Sequence, residues 1–178
     1  MGSVLILTGP PGAGKSTVAD VLARSSRVAS VHLHTDDFYD RFIKSGYVLP
    51  WLPESQKQNE TVTHAVATAA FAYARGGYFV IVDGIVGPWF VEPYRAAAGD
   101  IPLHYAVLRP ESADLAVKRV MQRRTHGLQA EDVVRELYRQ LSDLGIFEKH
   151  ALDTTGLSID ETAERLRTGM ADGRLLLG

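Results

Sequence analysis

Short apolar runs alternate with longer amphipathic segments along this chain of 178 residues. The apolar runs favour β-strands, and they lie at 4–7, 31–34, 78–83, 103–108 and 150–153. The segments between them predict helices at Lys15 to Ala23, Gln56 to Arg75, Pro88 to Ala98, Ser112 to Arg124, Glu131 to Leu144 and Ile159 to Thr168. The middle runs are nearly continuous in apolar residues, as parallel strands buried on both faces are. The alternation therefore predicts an α/β fold with a five-stranded parallel sheet between two layers of helices.

Composition narrows the possible partners and the number of domains. The length suits one domain, and we expect residues 1–178 to form it. A net charge of −2 gives no general attraction to nucleic acid or to anionic lipid, so neither partner is expected. The chain has no cysteine, which excludes disulfides and thiolate metal sites and favours a cytoplasmic location. The N-terminal segment has no basic n-region and its apolar run is too short to span a bilayer, so no signal peptide is expected.

The segment "GPPGAGKST" at 9–17 fits the phosphate-loop pattern G-x-x-x-x-G-K-[ST]. It follows a predicted strand and begins a predicted helix, which is the context that such a loop needs. Glycines let successive backbone N–H groups point inward, and the helix N-terminus adds partial positive charge. Lys15 is expected to reach the β- and γ-phosphates of ATP, and the Ser16 hydroxyl is expected to bind Mg²⁺. The predicted nucleotide-binding residues here are Gly9, Gly12, Ala13, Gly14, Lys15, Ser16 and Thr17.

A second candidate magnesium ligand, Asp83, ends the apolar run "YFVIVDG". A carboxylate at the end of such a strand holds Mg²⁺ directly or through water in nucleotide-binding enzymes, whereas the structural alternative is a solvated strand end. Gly84 follows, where mechanical ATPases of the AAA and helicase types carry a glutamate that activates water. The missing glutamate argues against a mechanical ATPase, and the lack of an N-K-x-D sequence argues against a guanine-specific GTPase.

Two adjacent acids, Asp36 and Asp37, follow the predicted strand 31–34 in "HTDDFYD". Adjacent like charges repel, so the pair is expected to face water or to take part in chemistry. Neighbouring strand residues point to opposite faces, so we expect one acid to face the phosphate and the other to pair with Arg41 or to orient a magnesium-bound water. Either acid could be the base at this point.

A metal site is the rival hypothesis for the same segment. His32, His34 and Asp36 alternate, so they would share one strand face, and His-x-His is a metal-ligand spacing. That arrangement would suggest a metal-dependent hydrolase. However, the complete phosphate loop already explains the site, and no further histidine cluster completes the coordination.

A basic cluster at 116–127, "AVKRVMQRRTHG", predicts a lid over about 118–130. Arg119 and Arg123 are four residues apart and share a helix face, and Gly127 offers a hinge. The lid would close guanidinium groups over the transferring phosphate. The structural alternative is a set of basic side chains that stabilise a helix C-terminus.

The order of these motifs along essentially the whole chain resembles the small P-loop kinases that phosphorylate metabolites and antibiotics. Chloramphenicol phosphotransferase, gluconate kinase, shikimate kinase and the zeta-toxin kinases are similar in architecture. The resemblance implies a three-layer P-loop NTPase fold with strand order 2-3-1-4-5. It also implies that an aspartate after the second strand handles the proton of the attacking hydroxyl. Likeness to the "D-S-F-Y" stretch of uridine-kinase-like enzymes favours Asp36, whereas gluconate-kinase-like alignment favours Asp37. By the same resemblance, Thr155 and Gly156 would lie near the adenine.

These expectations define a function and an acceptor site. We expect an ATP- and Mg²⁺-dependent phosphotransferase that acts on a hydroxyl of a small, mostly neutral molecule, as a monomer or a homodimer. The alternative is a nucleotide-binding regulatory ATPase without a dedicated acceptor. An acceptor-side cap is expected at about 38–75, because residues 45–74 include one lysine, no arginine and several amides and aromatics. The predicted catalytic residues are Lys15, Asp36, Asp37, Arg119 and Arg123. The predicted acceptor-binding residues are Phe38, Tyr39, Arg41, Trp51, Gln58, Asn59 and Arg95.

Overall fold

The computed structural model describes residues 2–122 and 130–177. Its strands are β1 (Ser3–Thr8), β2 (Ser30–His34), β3 (Phe79–Asp83), β4 (Leu103–Arg109) and β5 (Ala151–Asp153). They form one parallel sheet in the order β2-β3-β1-β4-β5. The structure therefore confirms the predicted α/β fold and its strand order.

Seven helices of the described residues surround the sheet: α1 (Lys15–Arg24), α2 (Thr35–Asp40), α3 (Gln56–Arg75), α4 (Glu92–Ala98), α5 (Ala113–Met121), α6 (Glu131–Gln140) and α7 (Ile159–Ala171). Short 3₁₀ turns occupy Pro53–Ser55, Pro88–Phe90 and Gly145–His150. Helix α2 was not predicted, and the segment expected to be helical from Pro88 begins with a 3₁₀ turn. The expected end of the predicted helix Ser112 to Arg124, which corresponds to α5, lies outside the described residues.

The hydrophobic core has one part on each side of the sheet. In β1, Val4 and Ile6 pack on the side covered by α3 and α4, whereas Leu5 and Leu7 pack on the side covered by α1 and α7. This alternation follows the two-residue period of a strand. Each such side chain, once buried, stabilises the fold by about 1.5–3 kcal/mol.

The parallel strands place their carboxyl ends at one edge of the sheet. Leu7 of β1 and His34 of β2 both pair in register with Asp83 of β3. The phosphate loop follows β1 directly, so the fold brings this loop, His34 and Asp83 side by side. Ligands of open α/β sheets bind at this edge. None of the helices in 2–122 and 130–177 has the length and apolar character needed to cross a membrane.

Candidate active site

The phosphate loop depends on glycine at a close approach to helix α5. Gly12 has a φ of 83°, which side-chain-bearing residues rarely adopt, and a Cβ there would lie 2.6 Å from the carbonyl oxygen of Ala116. Gly14, also left-handed, immediately precedes α1. These glycines therefore allow the tight backbone conformation that a phosphate-binding loop needs.

Lys15 lies across the phosphate loop at the start of α1. Its Nζ donates to the carbonyl oxygens of Gly9, at 2.9 Å, and Pro10, at 3.1 Å. Both bonds direct the ammonium group over the loop, the position from which a bound phosphate is reached.

Asp83 is buried and anionic at the end of β3, with 1% of its side chain exposed. Its Oδ2 lies 3.4 Å from His32 Nε2 and 3.5 Å from His34 Nε2. Burial alone would raise the pKa of Asp83. The hydrogen bond from His32, the Lys15 charge, the Ser16 hydroxyl and His34 outweigh burial, so the pKa of Asp83 is lowered. The carboxylate therefore stays ionised within the site.

Ser16 and Asp83 fit a magnesium ion. Oδ1 of Asp83 is buried and has no hydrogen-bond partner among the described residues, whereas Oδ2 is held by the histidines. The Ser16 hydroxyl bonds to Nε2 of His34 at 3.2 Å and also interacts with Asp83. A hydroxyl and a free carboxylate oxygen beside a phosphate loop are the oxygen ligands that Mg²⁺ takes in nucleotide-binding enzymes.

The premise of the rival metal site was wrong. Asp36 belongs to the first turn of α2 and not to β2, so it does not share a strand face with His32 and His34. Both histidines instead contact Asp83. Within 2–122 and 130–177, no group of three or more His, Cys, Asp or Glu side chains is arranged to hold a metal ion.

Asp37 forms an ion pair along helix α2. Its Oδ1 lies 2.9 Å from Nε of Arg41, four residues later. The expectation that the two acids point to opposite faces of a strand was wrong, because both lie in the first turn of a helix. Carboxylates at that end interact favourably with the helix dipole. The expected pairing of one acid with Arg41 is what the structure shows. This leaves Asp36 as the acid without an arginine partner among the described residues.

Asp36 has the electrostatic surroundings of a base. Its side chain lines the large cleft beside the phosphate loop and is 69% exposed, with Oδ2 3.9 Å from Nδ1 of His34. Surrounding protein atoms and, to a smaller extent, the charges of Asp83 and Asp40 raise the pKa of Asp36, while His34 and Lys15 oppose the shift. A raised carboxyl pKa makes proton acceptance more favourable.

The cleft has a volume of about 1310 Å³ and includes four of the seven predicted acceptor-binding residues. These are Tyr39, Arg41, Trp51 and Asn59. Phe38, Gln58 and Arg95 are not among the lining residues. Gln58 instead bonds both backbone groups of Val48, and Arg95 lies 5.5 Å from the ring centre of Phe147.

The sequence interpretation missed several lining residues. They are Asp40, Tyr47, Ile85, Trp89, Phe90, Asp132 and Glu136. Trp89 and Phe90 follow the carboxyl end of β3, so the strand prediction could have indicated them. The acids of α6 carry no such signal, because only the packing of that helix brings them to the cleft.

A second cavity of about 280 Å³ lies on the other side of the phosphate loop. Its wall includes Arg119, whose Nη1 donates to the carbonyl oxygen of Gly12 at 3.3 Å. Thr154 and Leu157 line this cavity, whereas Thr155 and Gly156 between them do not. The two further arginines and the hinge of the predicted lid lie outside the described residues: Arg123, Arg124 and Gly127.

The sequence matches the AAA domain family over residues 4–144. The chain belongs to this family. Among curated proteins, no sequence matches it.

Solved structures show the same fold over nearly the whole chain. A sugar kinase from Janibacter sp. HTCC2649 is 17% identical, with a TM-score of 0.72 over 96% of this chain and 95% of its own. The APS kinase of Mycobacterium tuberculosis, in complex with AMPPNP and APS, is 20% identical, with a TM-score of 0.70 over 96% of this chain and 98% of its own. The tunicamycin resistance protein of Deinococcus radiodurans is 16% identical, with a TM-score of 0.67 over 100% and 99%. These findings confirm the resemblance to small P-loop kinases.

In this AAA-domain chain, the position after Asp83 has no room for a glutamate. A Cβ on Gly84 would lie 1.9 Å from Oγ1 and 2.6 Å from Cγ2 of Thr35, a side chain that is itself 7% exposed. The residue that mechanical ATPases use to activate water is thus excluded by the packing of β3 against α2.

The same contact predicts a loss of stability in Gly84→Ala. Overpacking should lower the free energy of unfolding by about 1–3 kcal/mol, measured by urea denaturation. Thr35→Ala removes the two closest atoms, so the double variant should lose less than the sum of the single losses. An unchanged unfolding midpoint in Gly84→Ala would show that the contact is absent.

Proposed function

We propose that this protein transfers the γ-phosphate of ATP to a hydroxyl of a small molecule, in a reaction that depends on Mg²⁺. The observation that carries the proposal is the position of Asp36. Its carboxylate lies near Lys15 and His34, at the junction of the phosphate loop and a cleft large enough for an acceptor. A base at this junction serves a hydroxyl nucleophile rather than nucleotide binding alone.

The roles of the residues follow from their positions. Backbone N–H groups of the phosphate loop and the Lys15 ammonium bind the β- and γ-phosphates and offset the charge that develops on them. Asp36 accepts the proton of the acceptor hydroxyl. The oxygen forms a bond to the γ-phosphorus as the bond to the β–γ bridging oxygen breaks, and ADP leaves with that electron pair. Ser16 and Asp83 would hold Mg²⁺, which would supply further positive charge at the phosphates.

Of the two adjacent acids, the geometry favours Asp36 as the base. Asp37 is engaged by Arg41 at 2.9 Å, so one of its oxygens is already paired within α2. Asp36 has no arginine partner among the described residues, lines the cleft, and has a raised pKa. Arg119, bonded to the phosphate loop, is proposed to face the nucleotide from the side of the smaller cavity.

Acceptor-dependent release of ADP tests the function. Purified protein with ATP and Mg²⁺ should release ADP slowly alone and many times faster with one class of hydroxyl compound from a panel of sugars, polyols, aminocyclitols and antibiotics. ADP release at the same rate with every compound and with none would support the regulatory ATPase instead.

The pH profile should show the raised pKa of Asp36. A base works only when ionised, so kcat/KM should fall as the pH is lowered through the pKa of Asp36. That fall should lie above the value of about 3.9 expected of an unperturbed aspartate. The profile is measured with saturating ATP, and Asp37→Asn should keep the same acidic limb. An acidic limb at about 3.9 or below would contradict the raised pKa of Asp36.

A further inference from the structure

Among the described residues, the acids that line the cleft outnumber the basic residues that line it. Beyond Asp36, the acids Asp40 of α2 and Asp132 of α6 line the cleft. In the described part of the chain, neither carboxylate forms an ion pair. Asp40 contacts the hydroxyl of Tyr47, which carries no charge. Glu136 also lines the cleft, but Arg139 balances it at 2.6 Å.

Neither of the described Lys and Arg residues that line the cleft is paired with Asp40 or Asp132. Lys15 lies over the phosphate loop, where its charge acts on Asp36 and Asp83, and Arg41 is paired with Asp37. A neutral or anionic acceptor would therefore leave Asp40 and Asp132 unpaired as it displaced water from them, and a carboxylate desolvated without a partner is costly.

A buried amide oxygen in the same cleft also lacks a donor. Asn59 is 8% exposed, and its Nδ2 donates to the Pro50 carbonyl at 2.7 Å and to the Ser55 hydroxyl at 2.9 Å. These bonds fix the amide and leave Oδ1 without a partner among the described residues. Because Oδ1 only accepts, any ligand group that bonds to it must be a donor.

The other amides of the cleft each have one donor N–H engaged. Nε2 of Gln56 donates to Glu60, and Nε2 of Gln140 donates to Glu136, each within its own helix. The carboxylates of Asp40 and Asp132 add acceptors to the lining, which complement a ligand rich in N–H and O–H groups.

Aromatic rings complete the wall of the cleft. They belong to Tyr39, Tyr47, Trp51, Trp89 and Phe90. The rings of Trp51 and Trp89 are 39% and 47% exposed, so their faces remain available to a ligand. Aromatic faces attract cations, and tryptophan does so most strongly.

We propose that the acceptor is a cationic amino alcohol, in which ammonium groups bind Asp40 and Asp132 and a neighbouring hydroxyl receives the phosphate. This inference rests on the proposed function and replaces the expectation of a mostly neutral acceptor. That expectation was based on the few basic residues over 45–74. The acids on which the present proposal rests lie outside this range, on α2 and α6. The cleft, at about 1310 Å³, exceeds the usual size of small-ligand sites, so a molecule of several rings fits.

Binding of a polycation and of its neutral derivative tests the charge directly. Kanamycin, which carries several ammonium groups and hydroxyls, is compared by calorimetry with kanamycin acetylated at every amine. The charged form should bind the parent at least about tenfold more tightly, since hydrogen bonds to charged groups contribute this much. Equal affinity of the two forms, or no binding of either, would overturn the inference.

Helix α6 offers a matched control for the acids. Asp132→Asn, alone or with Asp40→Asn, should lower the affinity for kanamycin by about tenfold or more and leave the acetylated form unaffected. Glu131→Gln changes an acid in the same helical turn that pairs with Arg135 and does not line the cleft. It should bind kanamycin as the parent does. Equal losses in Asp132→Asn and Glu131→Gln would indicate general charge attraction and overturn the proposal.

Acceptor-dependent ADP release separates this inference from the proposed function. If amino alcohols stimulate release and their N-acetylated forms do so much less, both stand. If neutral or anionic hydroxyl compounds are the better acceptors, the proposed function stands and the cationic acceptor is overturned. If kanamycin binds as expected but no compound of any charge stimulates release, the charge preference of the cleft stands and the kinase function fails.

Discussion

Replacing Lys15 with alanine should lower kcat/KM for ATP by roughly 10²–10³-fold, the usual effect of removing one preorganised charge from a transition state. The ammonium is held over the phosphate loop by two carbonyl oxygens, so its position is fixed before the nucleotide binds. The loss should appear mainly in kcat, because charge develops on the phosphates as they are transferred.

Lys57→Ala is the matched control for this variant. Lys57 is an exposed lysine of α3 that does not line the cleft, so its removal changes the net charge equally and should leave the rate near that of the parent. Parent-like turnover by Lys15→Ala, with its folding checked by circular dichroism, would mean that the loop at 9–17 does not bind the reacting phosphates.

Replacing Asp36 with asparagine should lower phosphoryl transfer by on the order of 10²–10⁴-fold, the contribution of a general base. Asparagine keeps the shape of the side chain but cannot accept the proton. ATP affinity, measured by calorimetry with AMPPNP on the same preparation, should survive because the phosphate loop is unchanged.

Asp37→Asn distinguishes the base from its neighbour. It removes an exposed ion pair with Arg41, which is worth up to about 1 kcal/mol, so its effect should stay within roughly fivefold. If Asp37→Asn lost far more rate than Asp36→Asn, the roles of the two acids would be exchanged. Parent rates in both variants would remove the acids from the mechanism.

Local features of the sequence were enough to predict the sheet and the phosphate loop. The run at 4–7 is buried on both faces, and the loop motif is continuous in sequence, so neither depends on a distant contact. The likeness to P-loop kinases then supplied the strand order, which the apolar pattern alone does not contain. The position of Asp83 was also predictable from local sequence. A polar residue that ends a buried parallel strand lies at the edge of the sheet where ligands bind.

The helix after β2 was harder to predict. "TDDFYD" is short and carries acids that also suit a turn, and its helix is stabilised by packing of Phe38 and Tyr39 against the core. Because this contact lies far away in sequence, the acids were expected on a strand. Their different surroundings become visible only from the Asp37 pairing with Arg41 and the position of Asp36 in the cleft.

The acceptor wall depends on tertiary structure most of all. Asp132 lies on α6, nearly a hundred positions after α2 in sequence, yet both helices line the cleft. Gln58 and Arg95 were expected in the cleft but do not line it. Gln58 bonds the backbone of Val48, and Arg95 lies over the ring of Phe147. Residue type and spacing therefore predicted a phosphate loop and a candidate base, whereas the charge of the proposed acceptor site could be inferred only from the assembled fold.

The fate of the γ-phosphate distinguishes phosphoryl transfer from hydrolysis. ATP labelled at the γ-phosphorus is incubated with protein, Mg²⁺ and the compound that most stimulates ADP release, and the products are separated. We expect one labelled phosphate ester of that compound for each ADP whose release the compound stimulates, and at least about a hundredfold less ester with Asp36→Asn. Label that appears only as inorganic phosphate would contradict phosphoryl transfer to the compound.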